Sequence, residues 1–374
     1  MRVLFTTAPL SGHFFPLVPL AWACRSLGHE VLVATSDSYL PTVLRSGLPV
    51  TSSGPAADFV DLAKDAAGHS PVQRRQAHGR VLSGIAARNL PGLASIVTSW
   101  RPDVVVSERA EFAGPIAAAA YGVPRVELRW GVAPLAEFRA AAATQLQPDL
   151  TAFGLDALPE PDRVVSPWPR SLRLPHAVHD ESIRYVPYNG DAHIPQWLLA
   201  PRTRPRVCIT LGTLLPRLNT GGAWDAVLGA LDLLPQADIE VVIAVDDDVV
   251  ATWPQLPASV THVGRMPLSE VLAGCDAVLH HGGQGSSLTA LAVGCPQLVF
   301  PQFDDHFDNA DAVVRAGAGA RLLPAELTPW NLAKNTLDLI ESVHFRQSAD
   351  AVAAEVAAQP SPVAVVGLLE ELAG

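Results

Sequence analysis

The sequence is poor in the features that staple small or metal-dependent folds. Its four cysteines, Cys24, Cys208, Cys275 and Cys295, form no Cys-x-x-Cys pair, and none has a histidine at ligand spacing. That argues against a disulfide framework or a metal site, and single cysteines in apolar runs read as small core residues. Charged residues make up only 17% of the 374, and the formal net charge is −11. An acidic chain lacks the basic face that nucleic acid or an anionic membrane requires, although a nucleotide-sized anion needs only a local pocket. No run approaches the ~18 apolar residues of a membrane span. The N-terminus superficially imitates a secretory signal, with Arg2, an apolar stretch and Ala21-Trp22-Ala23. Thr6, Thr7, Pro9, Ser11, Gly12 and His13 interrupt that stretch, so the expectation is a cytoplasmic protein. Apolar residues are abundant, at 49%. Over this length they can build two sizeable cores and they exclude general disorder.

Short Val/Leu-rich runs alternate with longer helical stretches. Arg2–Thr7, Glu30–Thr35, Asp103–Val106 and Pro124–Leu128 read as strands; Phe15–Leu27, with Gly28 as its C-cap, and the Ala-rich stretch to Tyr121 read as helices. The rhythm restarts with strands at Arg206–Leu211, Ile239–Val245, Asp276–His280 and Gln297–Phe300. Such alternation indicates right-handed βαβ units and parallel sheets. Between the halves, Tyr185–Pro205 carries Pro187, Pro195, Pro201 and Pro205 and breaks the rhythm, as a linker does. Residues 51–99, with His69, Arg74, Arg75 and His78, read as a loop and a long helix near an open face. The fold class is therefore α/β, with two doubly wound, Rossmann-like domains facing each other across a cleft. The expected division is 1–190, a linker at 191–205, 206–358, and a last helix within 359–374.

The strongest local signal is His280-His281-Gly282-Gly283-Gln284-Gly285-Ser286-Ser287, directly after a strand. Glycines let backbone approach a ligand. A helix starting at the serines would present unpaired N–H groups and partial positive charge, which suits a phosphate. His281, Ser286 and Ser287 add donors; the bland alternative is a Gly-rich turn with capping serines. No Gly-Lys-Ser/Thr follows, so this is not a P-loop, and the first turn carries Ser11-Gly12-His13 in place of a dinucleotide fingerprint, which disfavours a nicotinamide oxidoreductase. A histidine in a turn is more often structural, but His13, at the end of the first strand, is well placed to accept a proton near pH 7.

The segment Ser11-Gly12-His13-Phe14-Phe15-Pro16-Leu17 resembles the Gly-His-x-x-Pro segment of family 1, GT-B-fold glycosyltransferases. Asp276 through His281-Gly282-Gly283 to Gly294-Cys295-Pro296-Gln297 and Pro301-Gln302 resembles their nucleotide-sugar motif. The likeness is greatest to bacterial transferases that decorate antibiotics and other polyketides with deoxysugars, and it runs the whole chain. It implies His13 as general base, paired with an acidic residue that here is Glu108, where the family more often has Asp. Glu111 is a competitor that could instead be a solvated surface residue. The resemblance also implies a donor set of Gly12, Thr213, Arg265, Met266, His281, Gly283, Gly285, Ser286, Ser287, Asp305 and His306. The final helix, around Pro362–Ala373, would cross back to the first domain.

Three departures shape the donor expectation. Thr289 stands where a Glu often reads ribose hydroxyls. Asp305-His306 replaces an Asp-Gln pair. Arg265 replaces an aromatic residue over the base and could stack on it. Together they imply a thymidine-diphosphate (TDP) deoxysugar donor, no other cofactor, no metal, and a small apolar aglycone as acceptor. Asp246-Asp247-Asp248 reads as a solvated loop rather than a metal motif. A homodimer is compatible with this reading. A nucleotide-sugar epimerase and a non-catalytic two-domain binding protein are the alternatives.

Overall fold

The computed structural model describes all residues except 64–69, 192, 218–221, 235–237, 252 and 254, so His69 lies outside the described residues. The first half forms a seven-stranded sheet from β1 (Arg2–Thr6), β2 (Glu30–Ser36), β3 (Val50–Gly54), β4 (Val104–Glu108), β5 (Arg125–Leu128), β6 (Arg163–Ser166) and β7 (Glu181–Ser182). Its order is β3-β2-β1-β4-β5-β6-β7, with every pair parallel. The second half forms a six-stranded sheet from β8 (Arg206–Thr210), β9 (Glu240–Ala244), β10 (Val260–Gly264), β11 (Ala277–His280), β12 (Gln297–Val299) and β13 (Gly319–Arg321). Its order is β10-β9-β8-β11-β12-β13, again all parallel.

Both sheets are covered on two faces, which is why central strands such as Val104-Val105-Val106 are apolar throughout and fully buried. One face of the first sheet packs Leu4 and Val105 against Leu90, Leu93 and Ile116. The other packs Val3, Phe5 and Val104 against Phe14, Leu17 and Leu20. That second core also takes in Val365, Val366 and Leu369 of the last helix, Pro362–Ala373. The C-terminus thus returns to the first domain, reinforced by the Arg184 amide donating to the Pro360 carbonyl at 2.7 Å. No single described helix is long and apolar enough to cross a membrane.

Among the described residues of 51–99 there is more regular structure than the sequence suggests. They contain edge strand β3, a short helix at Phe59–Ala63, and the helix Pro71–Trp100. Ser70 opens the long helix with a capping box to Gln73. Nor does this helix border an open face at His78, which is only 4% exposed.

In each sheet the chain order reverses direction between two neighbouring strands: β1 and β4 in the first, β8 and β11 in the second. Loops leaving the carboxyl ends of such a pair diverge and open a crevice, the usual ligand position in a doubly wound sheet. His13 follows β1, Glu108 ends β4, Thr213 follows β8 and His281 follows β11.

Candidate active site

At the first switch point β1 and β4 lie side by side, with Thr6 in register with Ser107. Glu108 is therefore carried beside the turn holding His13, and His13 Nδ1 lies 2.9 Å from Glu108 Oε1. The Glu108 side chain is wholly buried and that of His13 is 13% exposed. Burial alone would push the Glu108 carboxyl up. The charge and hydrogen bond of His13, with donors from Trp130 and the Ala110 amide, outweigh it and hold the carboxyl below its ordinary range. Trp130 Nε1 donates to Oε2 at 2.6 Å and the Ala110 amide at 2.8 Å. An ionised Glu108 holding Nδ1–H leaves Nε2 of the same imidazole free to accept a proton.

Glu111, which the sequence left as either a competitor for His13 or a solvated surface residue, is buried at 6% exposure. Its carboxyl accepts from the Thr6 hydroxyl at 2.6 Å and from the amides of Ala113 and Gly114 at 2.8 Å each. It caps the helix Ala113–Ala120 from within the core, and burial pushes it up to about 7.

At the second switch point the cradle helix spans Gln284–Ala292, so it begins two residues before the serines, with Gly283 in extended conformation at its N-cap. Ser286 and Ser287 thus lie in its first turn, and Ser287 is fully buried. Gly282 takes φ +96°, and a Cβ there would come within 2.9 Å of the His306 carbonyl, so the turn requires glycine. Around Gly285 the space is open. The His281 ring lies over Gly212, and its centroid is 4.9 Å from that of His306. Burial, then the neighbouring His280, push His281 down to about 3, opposed by a backbone hydrogen bond at Thr210. His281 is accordingly neutral at pH 7 and can act as a hydrogen-bond partner without added charge. His281 Nδ1, Ser287 Oγ and His306 Nδ1 are buried without hydrogen-bond partners. Such groups normally find one, so the cradle has donors in reserve for an anion.

The remaining candidates are dispersed around this centre. Gly12 and Thr213 are exposed beside it. Asp305 is buried, accepts from Asn309 Nδ2 at 2.7 Å, and is pushed up to about 6 by burial. His306 packs on Phe303 with centroids 4.3 Å apart. The guanidinium of Arg265 is engaged by Asp191 at 3.1 Å and Asp246 at 3.3 Å, and Met266 packs into the core beneath. Asp246-Asp247-Asp248 is not simply a solvated loop. Asp247 accepts from the Arg265 amide at 2.9 Å, and Arg217 pairs with Asp246 at 3.0 Å and Asp248 at 2.9 Å. Thr289 is fully buried; its hydroxyl donates to the Gly285 carbonyl at 2.6 Å and lies 3.2 Å from the Tyr185 hydroxyl. No group of residues able to hold a metal ion occurs among the described residues.

Sequence reasoning missed the contacts that join the two halves. Gln284 Oε1 accepts from the Gly131 amide and, at 3.1 Å, from Trp168 Nε1. Asn309 Oδ1 accepts from the Val132 amide at 3.0 Å. His78 Nδ1 is hydrogen-bonded to Asp304 Oδ2. Gly131, at φ +67°, has no room for a Cβ, which would sit 2.8 Å from Asp305 Oδ2. Gln284 alone had a sequence signal, as the one long polar side chain inside the glycine-rich motif. On the acceptor side, a cavity of about 170 Å³ is lined by Arg109, Phe112, Glu127, Arg129, Leu135 and Phe138. A smaller one, of about 30 Å³, touches Glu108. Neither reaches His281, which lies at the second switch point.

Two family models cover most of the chain: erythromycin biosynthesis protein CIII-like, N-terminal domain over residues 22–212 and C-terminal domain over residues 228–372. The chain belongs to that family. The transferase is 43% identical to an L-demethylnoviosyl transferase of Streptomyces niveus over 86% of this chain and 85% of that protein. It is 32% identical to the 3-alpha-mycarosylerythronolide B desosaminyl transferase of Saccharopolyspora erythraea over 100% of this chain and 98% of that one. Among solved structures it matches the spinosyn rhamnosyltransferase SpnG complexed with thymidine diphosphate, with a TM-score of 0.88, 30% identity, and 99% and 100% of the two chains covered. It also matches the Streptomyces sp. SF2575 glycosyltransferase SsfS6 complexed with thymidine diphosphate, with a TM-score of 0.85, 32% identity and 99% of each chain covered. The two parallel-sheet domains are those of a GT-B glycosyltransferase.

Proposed function

We propose that the enzyme transfers a deoxysugar from a TDP-sugar to a small apolar aglycone of polyketide type, with inversion, in antibiotic biosynthesis. The observation that carries this is the buried Glu108 carboxylate on His13 Nδ1, at the same switch point of its sheet as the cradle occupies in the other. In the reaction, His13 Nε2 takes the proton of an acceptor hydroxyl. The acceptor oxygen then forms a bond to the anomeric carbon as the bond from that carbon to the diphosphate oxygen breaks. Glu108 stabilises the imidazolium, and thymidine diphosphate departs with the bonding electrons. The first-turn amides of Gln284–Ala292, with His281 and Ser287, would receive its charge. Gly12, Thr213, Gly283, Gly285, Ser286, Asp305 and His306 line the donor side in this reading, and Arg265 and Met266 lie toward the base.

The chain division follows: 1–190 for the acceptor, 206–358 for the donor, 191–205 as linker and 359–374 as the returning helix. The four cysteines are all buried and unpaired, which suits a reducing, cytoplasmic setting. The homodimer belongs with this proposal and is testable by light scattering. Relatives named as L-demethylnoviosyl, desosaminyl and mycaminosyl transferases favour transfer over epimerisation or mere binding. Incubation of the purified enzyme with a TDP-deoxysugar and a panel of polyketide aglycones tests the proposal. A glycoside formed in step with thymidine diphosphate supports it; donor consumption without glycoside on any aglycone contradicts it.

A further inference from the structure

Trp130 follows β5 and is 6% exposed. Its indole N–H donates to Glu108 Oε2 at 2.6 Å, and its ring lies 4.6 Å from the His13 ring, inclined at 51°. Arg109 holds it from behind, with the guanidinium carbon 5.5 Å from the ring centroid and Nη1 donating to the Trp130 carbonyl at 2.9 Å. The next two residues are fixed to the donor domain: the Gly131 amide donates to Gln284 and the Val132 amide to Asn309. Thus one tripeptide touches both halves of the reaction. Its first side chain braces the base pair, and its following amides grip the cradle helix and the helix His306–Arg315.

A carboxylate has two oxygens and can rotate. Glu108 reaches His13 through Oε1, where the Ala8 amide also donates at 3.3 Å, and rotation of the carboxylate is opposed further when Oε2 is held. Trp130 and the Ala110 amide hold it. We infer that Trp130 is a positioning residue for the base: its indole N–H fixes Glu108 so that the other oxygen faces His13, and its ring limits how the imidazole turns. The inference rests on the reading of His13 as the base.

The test is a double-mutant cycle between Trp130→Phe, which keeps an aromatic ring and deletes the donor, and Glu108→Gln. In the parent background Trp130→Phe should lower kcat about ten-fold, as expected for a lost hydrogen bond to a charged group, with the KM for donor and the Kd for thymidine diphosphate within about two-fold. In the Glu108→Gln background the same change should lower kcat by less than about two-fold, because the group it positions is already lost. If Phe at this site fails to fold, benzothienylalanine at position 130 keeps the indole shape and removes only the N–H. An equal fall in both backgrounds, or no fall in the parent, overturns the inference. His13→Ala, run in parallel, separates the two failures. If it leaves turnover unchanged, the base reading fails and takes this inference with it. If it abolishes turnover while Trp130→Phe leaves kcat at the parent value, only the inference about Trp130 fails.

Discussion

Glu108 Oε1 lies 2.9 Å from His13 Nδ1, and Glu108 Oε2 is occupied by Trp130 and Ala110. Oε1 also accepts from the Ala8 amide at 3.3 Å, so both oxygens are tied to the frame and one of them also meets the imidazole. An Asp would be a methylene shorter and could not span the same gap without moving strand or helix, so Glu fits this spacing. Replacing it with Gln keeps the shape but removes the charge that stabilises an imidazolium. Glu108→Gln should lower kcat by ~10²-fold or more, with thymidine diphosphate affinity unchanged. A kcat within two-fold of the parent would remove Glu108 from the mechanism.

His281 should contribute to donor binding as a neutral partner. His281→Ala is expected to weaken thymidine diphosphate binding by about ten-fold, since hydrogen bonds to charged groups contribute ~1.5–3 kcal/mol. With His281 pushed down to about 3, it stays neutral above pH 5, so its share of the binding should not titrate. Calorimetry at pH 6 and pH 8 checks both points: the ratio of parent to variant affinity should be the same at each. Equal affinity for the two proteins would refute the contact.

Donor choice is the most exposed expectation. A TDP-deoxysugar should be preferred over uridine-diphosphate glucose by at least ~10-fold, because burying an unmet hydroxyl costs ~1–3 kcal/mol. Competition at equal concentration measures it, and a win for the uridine donor contradicts it. Thr289 enters this differently than the sequence suggests. Its hydroxyl is taken up by Gly285 and lies against Tyr185, so Thr289→Glu should displace Tyr185 and lower stability without improving use of the uridine donor.

Glu111 predicts a pH effect on stability. Its folded carboxyl, pushed up to about 7 by burial, lies above the ordinary value of 4.5. The folded state then holds more protons than the unfolded state between those values, and stability falls as pH rises through that window, by at most ~1.4 kcal/mol per pH unit. Glu111→Gln should remove this slope. Unfolding by denaturant at pH 5, 6 and 7 measures it, and an unchanged slope in the variant would assign the effect elsewhere.

Much of the fold was legible because central parallel strands are buried on both faces and so spell unbroken apolar runs, as in Val104-Val105-Val106 and Val241-Val242-Ile243. Edge and short strands were not. Three of the five residues of Val50–Gly54 are serine or glycine, and Gly319–Arg321 is three residues long. His13, Glu108 and His281 were legible because each follows or ends a strand inside a recognisable motif. Trp130 and Asn309 were not, since their partners lie 22 and 177 residues away along the chain. The burial of Glu111 was not legible, because sequence shows a charge but not the three donors that offset burying it.

His13 as the base of sugar transfer is the assignment on which the rest depends. The most direct measurement is turnover of His13→Ala on a hydroxyl acceptor, alongside its affinity for thymidine diphosphate. If His13 is the base, kcat falls by ~10²–10⁴ while the Kd for thymidine diphosphate stays within two-fold of the parent. Turnover equal to the parent's, with the nucleotide still bound, would contradict it.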